Sequence, residues 1–581
     1  MYKSDFPAYV GGKLSSILEV KTKEGNTNRF SMAGELGLIT SRLSVEGPLF
    51  KKKSSFFISY RKSHIEKLIQ KANANVSDFQ FSDLNAKFNF SINDKNRLLF
   101  SFYSGRDDFF AKKWNGDKQG INWGNNLSSL RWNRTYGLKL FSNTTLYLSN
   151  YNYNFFTAFN SKTRWYSGIA SQGFKSDFIY FQNPSLTHYF GMNLSRYQIK
   201  PGMILSNNYL SPEYVPQIDE METGDSHLYY SANLVLNKRI TLRCGLRTSL
   251  FSNKGPAKWY ALNEAYDITD TIVEKGKGAF NRYFRAEPSV SCTYLIDSKN
   301  SLKFNYFRAH QYFQILSNSI SPFTSIEVWH PSTPIVKPQS SDQFSMGYFT
   351  GLFNNSLNLS VELFYKYMQH QFDYNNQSNL LLNPFIEKEL RFGSTHAYGS
   401  EITLKKDFVK WQGNVGYAYC RALRKTDGVN NNKPYPAYSD RPYDFSLFVQ
   451  YQPNYKWLLT SGVIYAAGMP YSPPTGYYNY MGYKVPVYSL KNNARMPDYF
   501  RWDVSFQRTL NKPGNRWEHY LTFSVVNITN HKNPVFINFN KIVDENGNFT
   551  VPSNYAYDNF LSTSQIILIG IIPSVKYNFK F

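Results

Sequence analysis
The chain has 581 residues, a formal charge of +24 and a negative mean hydropathy, with hydrophobic side chains at 42%. A helical membrane protein is excluded, because the longest apolar run, Ile566 to Ile572, falls far short of the roughly 20 residues that a spanning helix needs. The length would hold roughly three or four soluble domains, yet no linker, no Pro/Gly/Ser-rich hinge and no shift of composition divides it.

From the N-terminus, Met1 to Val10 (MYKSDFPAYV) has neither a basic start nor an apolar stretch and does not read as a secretion signal. The expectation is a processed or truncated piece, or a recorded start that is not the true one. Alternating segments follow from residue 28 onward. Leu84, Ala86, Phe88, Phe90 and Ile92 oppose Asn85, Lys87, Asn89 and Ser91. Leu357, Leu359, Val361, Leu363, Tyr365 and Tyr367 oppose Ser356, Asn358, Ser360, Glu362 and Lys366. The same rule separates Phe445, Leu447, Val449 and Tyr451 from Asp444, Ser446 and Gln450, and Phe500, Trp502, Val504 and Phe506 from Arg501, Asp503, Ser505 and Gln507. At the end of the chain Val575, Tyr577, Phe579 and Phe581 oppose Ser574, Lys576, Asn578 and Lys580.

A strand has a side-chain period of two, so each such segment has one apolar and one wet face, which suits a wall between hydrocarbon and a water-filled lumen. About 22 segments of this kind can be counted, the number of strands in large outer-membrane barrels with a plugged lumen. The predicted fold is therefore all-β: a transmembrane antiparallel β-barrel of about 22 strands, of the outer-membrane type.

The gaps between segments alternate in length, as short periplasmic turns and long external loops do. Short ones are Asn93 to Asn96, Asn237-Lys238, Asp297 to Asn300, Asn354-Asn355 and Asn511 to Asn515, all with turn chemistry. Long ones are expected at roughly 203–225, 253–283, 317–338, 375–396, 427–440, 473–498 and 540–565. The first hairpin, near Gly37 to Thr40, is an exception with a short external turn. An even strand count puts both termini on the periplasmic side.

Aromatic residues form 18% of the chain, more than a core uses, and girdles at both membrane interfaces would absorb them. The basic excess would suggest nucleic acid on a soluble protein. Here it is scattered, so nucleic acid is not an expected partner; outer-membrane lipid head groups and lipopolysaccharide are, against the plainer reading of a generally solvated surface. Cys244, Cys292 and Cys420 lie far apart and form no disulfide framework.

Several stretches resemble one family. Tyr9 to Asn26 (YVGGKLSSILEVKTKEGN) is similar to the closing segment of the plug in TonB-dependent outer-membrane receptors, and Ser41 to Arg61 (SRLSVEGPLFKKKSSFFISYR) resembles the Bacteroidetes type. Further likenesses are Lys337-Pro338-Gln339, Tyr398-Gly399-Ser400-Glu401, Asp440-Arg441-Pro442-Tyr443-Asp444, Ala467-Gly468-Met469-Pro470-Tyr471 and Val526-Asn527-Ile528-Thr529-Asn530. The resemblance implies two parts: residues 1–28 as the C-terminal remnant of a plug, and 29–581 as a barrel in the bacterial outer membrane. It implies uptake of a small-molecule or oligomeric nutrient such as a glycan, peptide or metal chelate. Energy would come from the TonB complex acting through plug sequence not in this chain, and a SusD-like surface lipoprotein is an implied partner. Tyr577, Phe579 and Phe581 would form the signal read by the barrel-assembly machinery.

No catalytic set converges in the sequence, and no cofactor or metal is expected: the nine histidines show no ligand spacing and no phosphate-cradling loop is present. Binding residues are expected on the external loops. Trp329, His330, Tyr435, Tyr438, Tyr471, Tyr477, Tyr478, Tyr480 and Tyr483 are the candidates, since flat rings and hydroxyls stack on a glycan or cyclic ligand. The competing reading places them in a girdle or in loop-on-loop packing. Lys87, Lys366, Lys576 and Lys580 fall on wet faces, either lining the lumen for an anionic solute or pairing with a plug. Arg441 with Asp444, and Arg501 with Asp503, are expected to serve the barrel itself. Two other functions stay open: a plugless passive pore or structural and adhesive subunit, and a soluble all-β carbohydrate enzyme, which would need a blade-length repeat and paired carboxylates that the sequence does not display.

Overall fold
A computed structural model describes Lys3, residues 5–50, 53–66, 76–112, 118–156, 163–206, 218–316, 327–353, 356–374, Ser378, and residues 383–481, 483–512, 514–540, 562–567 and 570–581. Twenty-two long strands form one antiparallel sheet that closes when the first, Ser31–Gly37, pairs with the last, Ile572–Lys580. A twenty-third member of that sheet, Tyr435–Pro436, is only a two-residue addition to the C-terminal end of Trp411–Thr426. Closure leaves no edge, so every strand finds partners on both sides, the condition for β-structure inside hydrocarbon.

The alternation read from the sequence becomes an inside and an outside. Along Ile240–Lys254, Leu246 and Leu250 stand exposed, while Arg247, Ser249, Phe251 and Asn253 are buried. The last strand behaves likewise, with Val575 exposed and Ser574 and Asn578 buried. The wall is thus largely inverted relative to a soluble protein: its leucines and valines face outward and its inward face is mostly polar, with apolar exceptions such as Phe251 and Phe307.

One end carries the tight turns, and several use a single device. The carboxamide or carboxylate of Asn93, Asn183, Asn237, Asp297 and Asn454 accepts a hydrogen bond at 2.7–3.0 Å from the backbone N–H two residues on, an Asx turn that closes the hairpin locally. Asn354 and Asn355 lie outside the described residues. Both ends of the barrel strand order meet here too, since Phe581 N donates to Met32 O at 2.7 Å and Met32 N to Phe581 O at 3.1 Å.

The other end carries the long connections, and they are more structured than expected. Hairpins form at Ala257–Leu262 with Ile268–Glu274, Phe313–Leu316 with Val328–Pro331, Gly476–Tyr480 with Tyr483–Val487, and Pro534–Asn540 with Ser562–Ile567. Wall strands also run further than the alternation showed, with Met221–Val235 and Leu390–Asp407 starting inside stretches read as loop. The exceptional short turn at 38–39 stands as expected between Ser31–Gly37 and Thr40–Leu49.

Candidate functional site
The lumen is built first by the polar faces and then by the segment lying on them. Residues 5–28 run inside the barrel. Asp5 forms ion pairs with Arg243 and Lys303, and Phe6 packs its ring 4.4 Å from Phe307. Gly11 lies on Arg247, where a Cβ would come within 2.5 Å of Nε. Lys366 Nζ donates to Leu14 O at 2.8 Å and Lys87 Nζ to Thr22 O at 3.0 Å. Glu24 pairs with Arg97, and Lys23 with Glu46. Two of the four lysines singled out in the sequence therefore hold this segment. Lys576 instead bridges to Glu35 at 2.9 Å across the barrel seam, and Lys580 lies 3.9 Å from Glu518, more than half exposed.

At the long-loop end the hairpin Phe313–Leu316/Val328–Pro331 folds into the barrel mouth. Leu316 and Val328 are buried in one cluster with Ile121, Tyr153, Trp165 and Leu390 from the wall and Ile218, Val336 and Ile386 from neighbouring connections. Trp165 Nε1 donates to Glu327 O at 3.3 Å and Tyr151 OH to Glu327 Oε2 at 2.9 Å. Burial pushes the Glu327 carboxyl above its ordinary range. His330 is fully buried; its Nδ1 donates to Pro331 O at 2.8 Å, and Nε2 faces Glu387 Oε1 at 3.4 Å. Burial, outweighing that carboxylate, lowers its affinity for a proton.

Beside this hairpin lies a narrow cleft whose lining includes His330. Trp259 stacks on Phe280 at 4.6 Å and Tyr260 lies 4.9 Å from Phe385, so its walls are flat and aromatic. Asp219, Glu220, Glu222 and Glu387 stand around them together with Lys254 and Lys258, and Lys254 pairs with Glu222 at 3.2 Å, so acceptors and donors are both present. Flat rings with donors and acceptors beside them suit a hydroxyl-bearing ring system. Sequence reading passed over Trp259, Tyr260, Phe280 and Phe385; the adjacent Trp-Tyr pair in the expected loop 253–283 was the available signal.

The aromatic candidates themselves divide. Trp329 packs edge-on against Tyr151 with 6.0 Å between ring centres. Tyr435 is buried, its hydroxyl donating to Asp373 Oδ2 at 2.8 Å and meeting Thr426 Oγ1 at 2.9 Å. With His330, these residues hold connections to the wall. Tyr471 is half-buried and stacks on Phe539, whereas Tyr438, Tyr478 and Tyr480 are exposed. The side chains of Tyr477 and Tyr483 lie outside what is described. In the D-R-P-Y-D stretch the structure pairs Asp440 rather than Asp444: its carboxylate is wholly buried between Arg421 and Arg495. Arg501 and Asp503 do pair, at 2.8 Å.

The terminal aromatics form a belt on the outer wall. Trp517 faces His519, Phe579 and Phe581, and His519 Nδ1 meets Tyr577 OH at 2.5 Å. Among the described residues no three His, Cys, Asp or Glu side chains converge as a metal site.

The family model "TonB dependent receptor-like, beta-barrel" matches residues 63–530. The chain belongs to that family. No curated protein matches it in sequence. Solved structures share the fold at low identity. The FrpB iron transporter from Neisseria meningitidis is 11% identical with a TM-score of 0.63, covering 100% of this chain and 86% of its own. The siderophore receptor PiuA from Acinetobacter baumannii is 12% identical with a TM-score of 0.63, covering 96% and 82%. The ferripyoverdine receptor of Pseudomonas aeruginosa is 13% identical with a TM-score of 0.62, covering 95% and 72%. A TonB-dependent receptor barrel is an outer-membrane structure, and its closed sheet meets that requirement.

Proposed function
We propose that this chain is the translocating barrel of a TonB-dependent importer, with residues 1–28 as the last part of its plug and the loop-end cleft as the place where a solute is first held. Both termini of the barrel then lie on the periplasmic side and the mouth faces outside. The observation that carries the reading is the segment 5–28 inside a closed barrel, tied to the wall through ion pairs and backbone hydrogen bonds such as Asp5 with Arg243 and Lys87 with Thr22. Exposed ion pairs of that kind exchange for water at little net loss, whereas Phe6 and Leu14 are buried with Phe307 and Ala309 in an apolar cluster that a pull on the segment has to open.

The aromatic cleft supports a nutrient with flat or hydroxyl-rich faces, a glycan or a chelate of the kind its structural neighbours import, and the Bacteroidetes-type motifs support a SusD-like lipoprotein above it. Uptake by cells expressing the protein tests this against a passive pore. An importer gives saturable uptake that a protonophore abolishes; a pore gives uptake linear in solute and indifferent to the protonophore, which would overturn the reading.

A further inference from the structure
The wall strand Asn300–Gln311 holds two things at once. Along its length it seats the inner segment: Lys303 pairs with Asp5, and Phe307 and Ala309 are buried with Phe6 and Leu14. At its end it runs into the mouth hairpin, from which only Tyr312 separates it. The two attachments meet in one side chain. Gln311 Oε1 accepts from Leu14 N at 3.4 Å, and Gln311 Nε2 donates to Phe313 O, at the first residue of the hairpin, at 2.9 Å. A carboxamide is suited to this place, because it carries an acceptor at one corner and donors at the other.

The joint beside Gln311 is firmly held. Tyr312 stacks on Phe251 with ring centres 4.7 Å apart, its hydroxyl meets Ser249 Oγ at 2.5 Å, and its carbonyl accepts from Ser332 N at 2.7 Å. The hairpin beyond it is more finely balanced. Leu316 and Val328 are buried, yet among the described residues neither polar atom of the buried Gln314 side chain has a partner. Undocking returns that amide to water, which offsets part of the apolar burial it gives up. A contact made only in the docked state then shifts the balance.

We infer that Gln311 is a positioning residue that links the seating of the inner segment to the docking of the mouth hairpin. When Leu14 leaves, the carboxamide loses one of its two attachments and the hairpin is released; by linkage, a released hairpin loosens the segment in turn. The inference rests on the reading of residues 1–28 as the last part of a plug. Hydrogen exchange followed by mass spectrometry on the full chain, folded in detergent, tests it. Phe6→Ala with Leu14→Ala, which unseats the segment, should speed exchange over residues 313–316 and 328–330 about 5-fold or more, and Leu316→Ala with Val328→Ala, which loosens the hairpin, should do the same over residues 8–14. Exchange in the hairpin of Pro534–Asn540 with Ser562–Ile567 should stay as it was in both.

Gln311→Ala should erase both cross-effects, which a merely structural side chain would leave in place. Gln311→Glu keeps the acceptor for Leu14 N and loses the donor to Phe313 O, so it should erase them too and decides the matter if the alanine variant does not fold; heat-modifiable migration reports folding. Cross-effects that persist in either folded Gln311 variant would overturn the assignment. Fast exchange over residues 8–14 in the unaltered chain would overturn the link together with the plug reading, whereas slow exchange there without cross-effects overturns the link alone.

Discussion
Phe579 lies across Gly34 at the seam where the barrel closes: the two are register partners, and a Cβ on Gly34 would run into the ring. The glycine makes room for an aromatic of the terminal belt on the strand that completes the sheet. Gly34→Val should overpack the seam by roughly 1–3 kcal/mol, lowering the urea midpoint of the detergent-folded barrel. Adding Phe579→Ala should recover part of that loss, because neighbouring substitutions do not add; strictly additive losses would contradict the contact.

Asp440 gathers the connections near 440 and 495. Besides Arg421 and Arg495, its Oδ1 accepts from Ala422 N at 2.6 Å, while Arg495 also donates to Asp440 O and Gly468 O. Asp440→Ala removes the acceptor of two partly exposed guanidinium groups and of Ala422 N, and should destabilise the fold by roughly 1–3 kcal/mol, the range for losing hydrogen bonds to a charged group. Limited proteolysis should then cut first between 427 and 442. A variant as resistant as wild type would show the pair to be dispensable.

Glu327 makes the docking of the mouth hairpin sensitive to pH. Its carboxyl is raised above the ordinary 4.5 by burial, against which the hydrogen bond from Tyr151 works. The folded state therefore binds the proton more strongly than the unfolded one, and its contribution is full below about 4.5 and declines as pH rises through the raised value. Glu327→Gln keeps an acceptor for Tyr151 and removes the buried charge. Its melting temperature should exceed that of wild type at pH 7 and match it at pH 4; the reverse order would refute the burial account.

Tyr435 and Tyr260 should separate stability from binding. Tyr435→Phe loses hydrogen bonds to Asp373 and Thr426, which should lower stability by about 1–3 kcal/mol and leave the half-saturating concentration for uptake unchanged. Tyr260→Ala and Phe385→Ala open the cleft wall, and each should raise that concentration several-fold with little effect on unfolding. Uptake that ignores both cleft variants would move the solute site elsewhere.

The barrel was legible because alternation is local: Leu84 to Ile92 and Val575 to Phe581 carry their faces in their own sequence. The turns were legible for the same reason, since an Asx turn is made by one residue with its next neighbours. Loop aromatics were not. Trp329, His330 and Tyr435 differ from Tyr478 and Tyr480 only in what other connections place against them, and those partners, Tyr151, Glu387 and Asp373, lie far away in sequence. Nor did spacing distinguish Asp444 from Asp440. One begins the strand Tyr443–Asn454, while the other turns into the packed connections.

The central claim is that alternate side chains face lipid and water around a sealed wall. Spin labels placed singly from Ser574 to Asn578, in a background where Cys244, Cys292 and Cys420 are serine, test it in outer-membrane vesicles through accessibility to oxygen and to a nickel chelate. The account requires oxygen maxima at Val575 and Tyr577 and nickel maxima at Ser574, Lys576 and Asn578, a period of two. Flat profiles, or nickel maxima at Val575 and Tyr577, would contradict it.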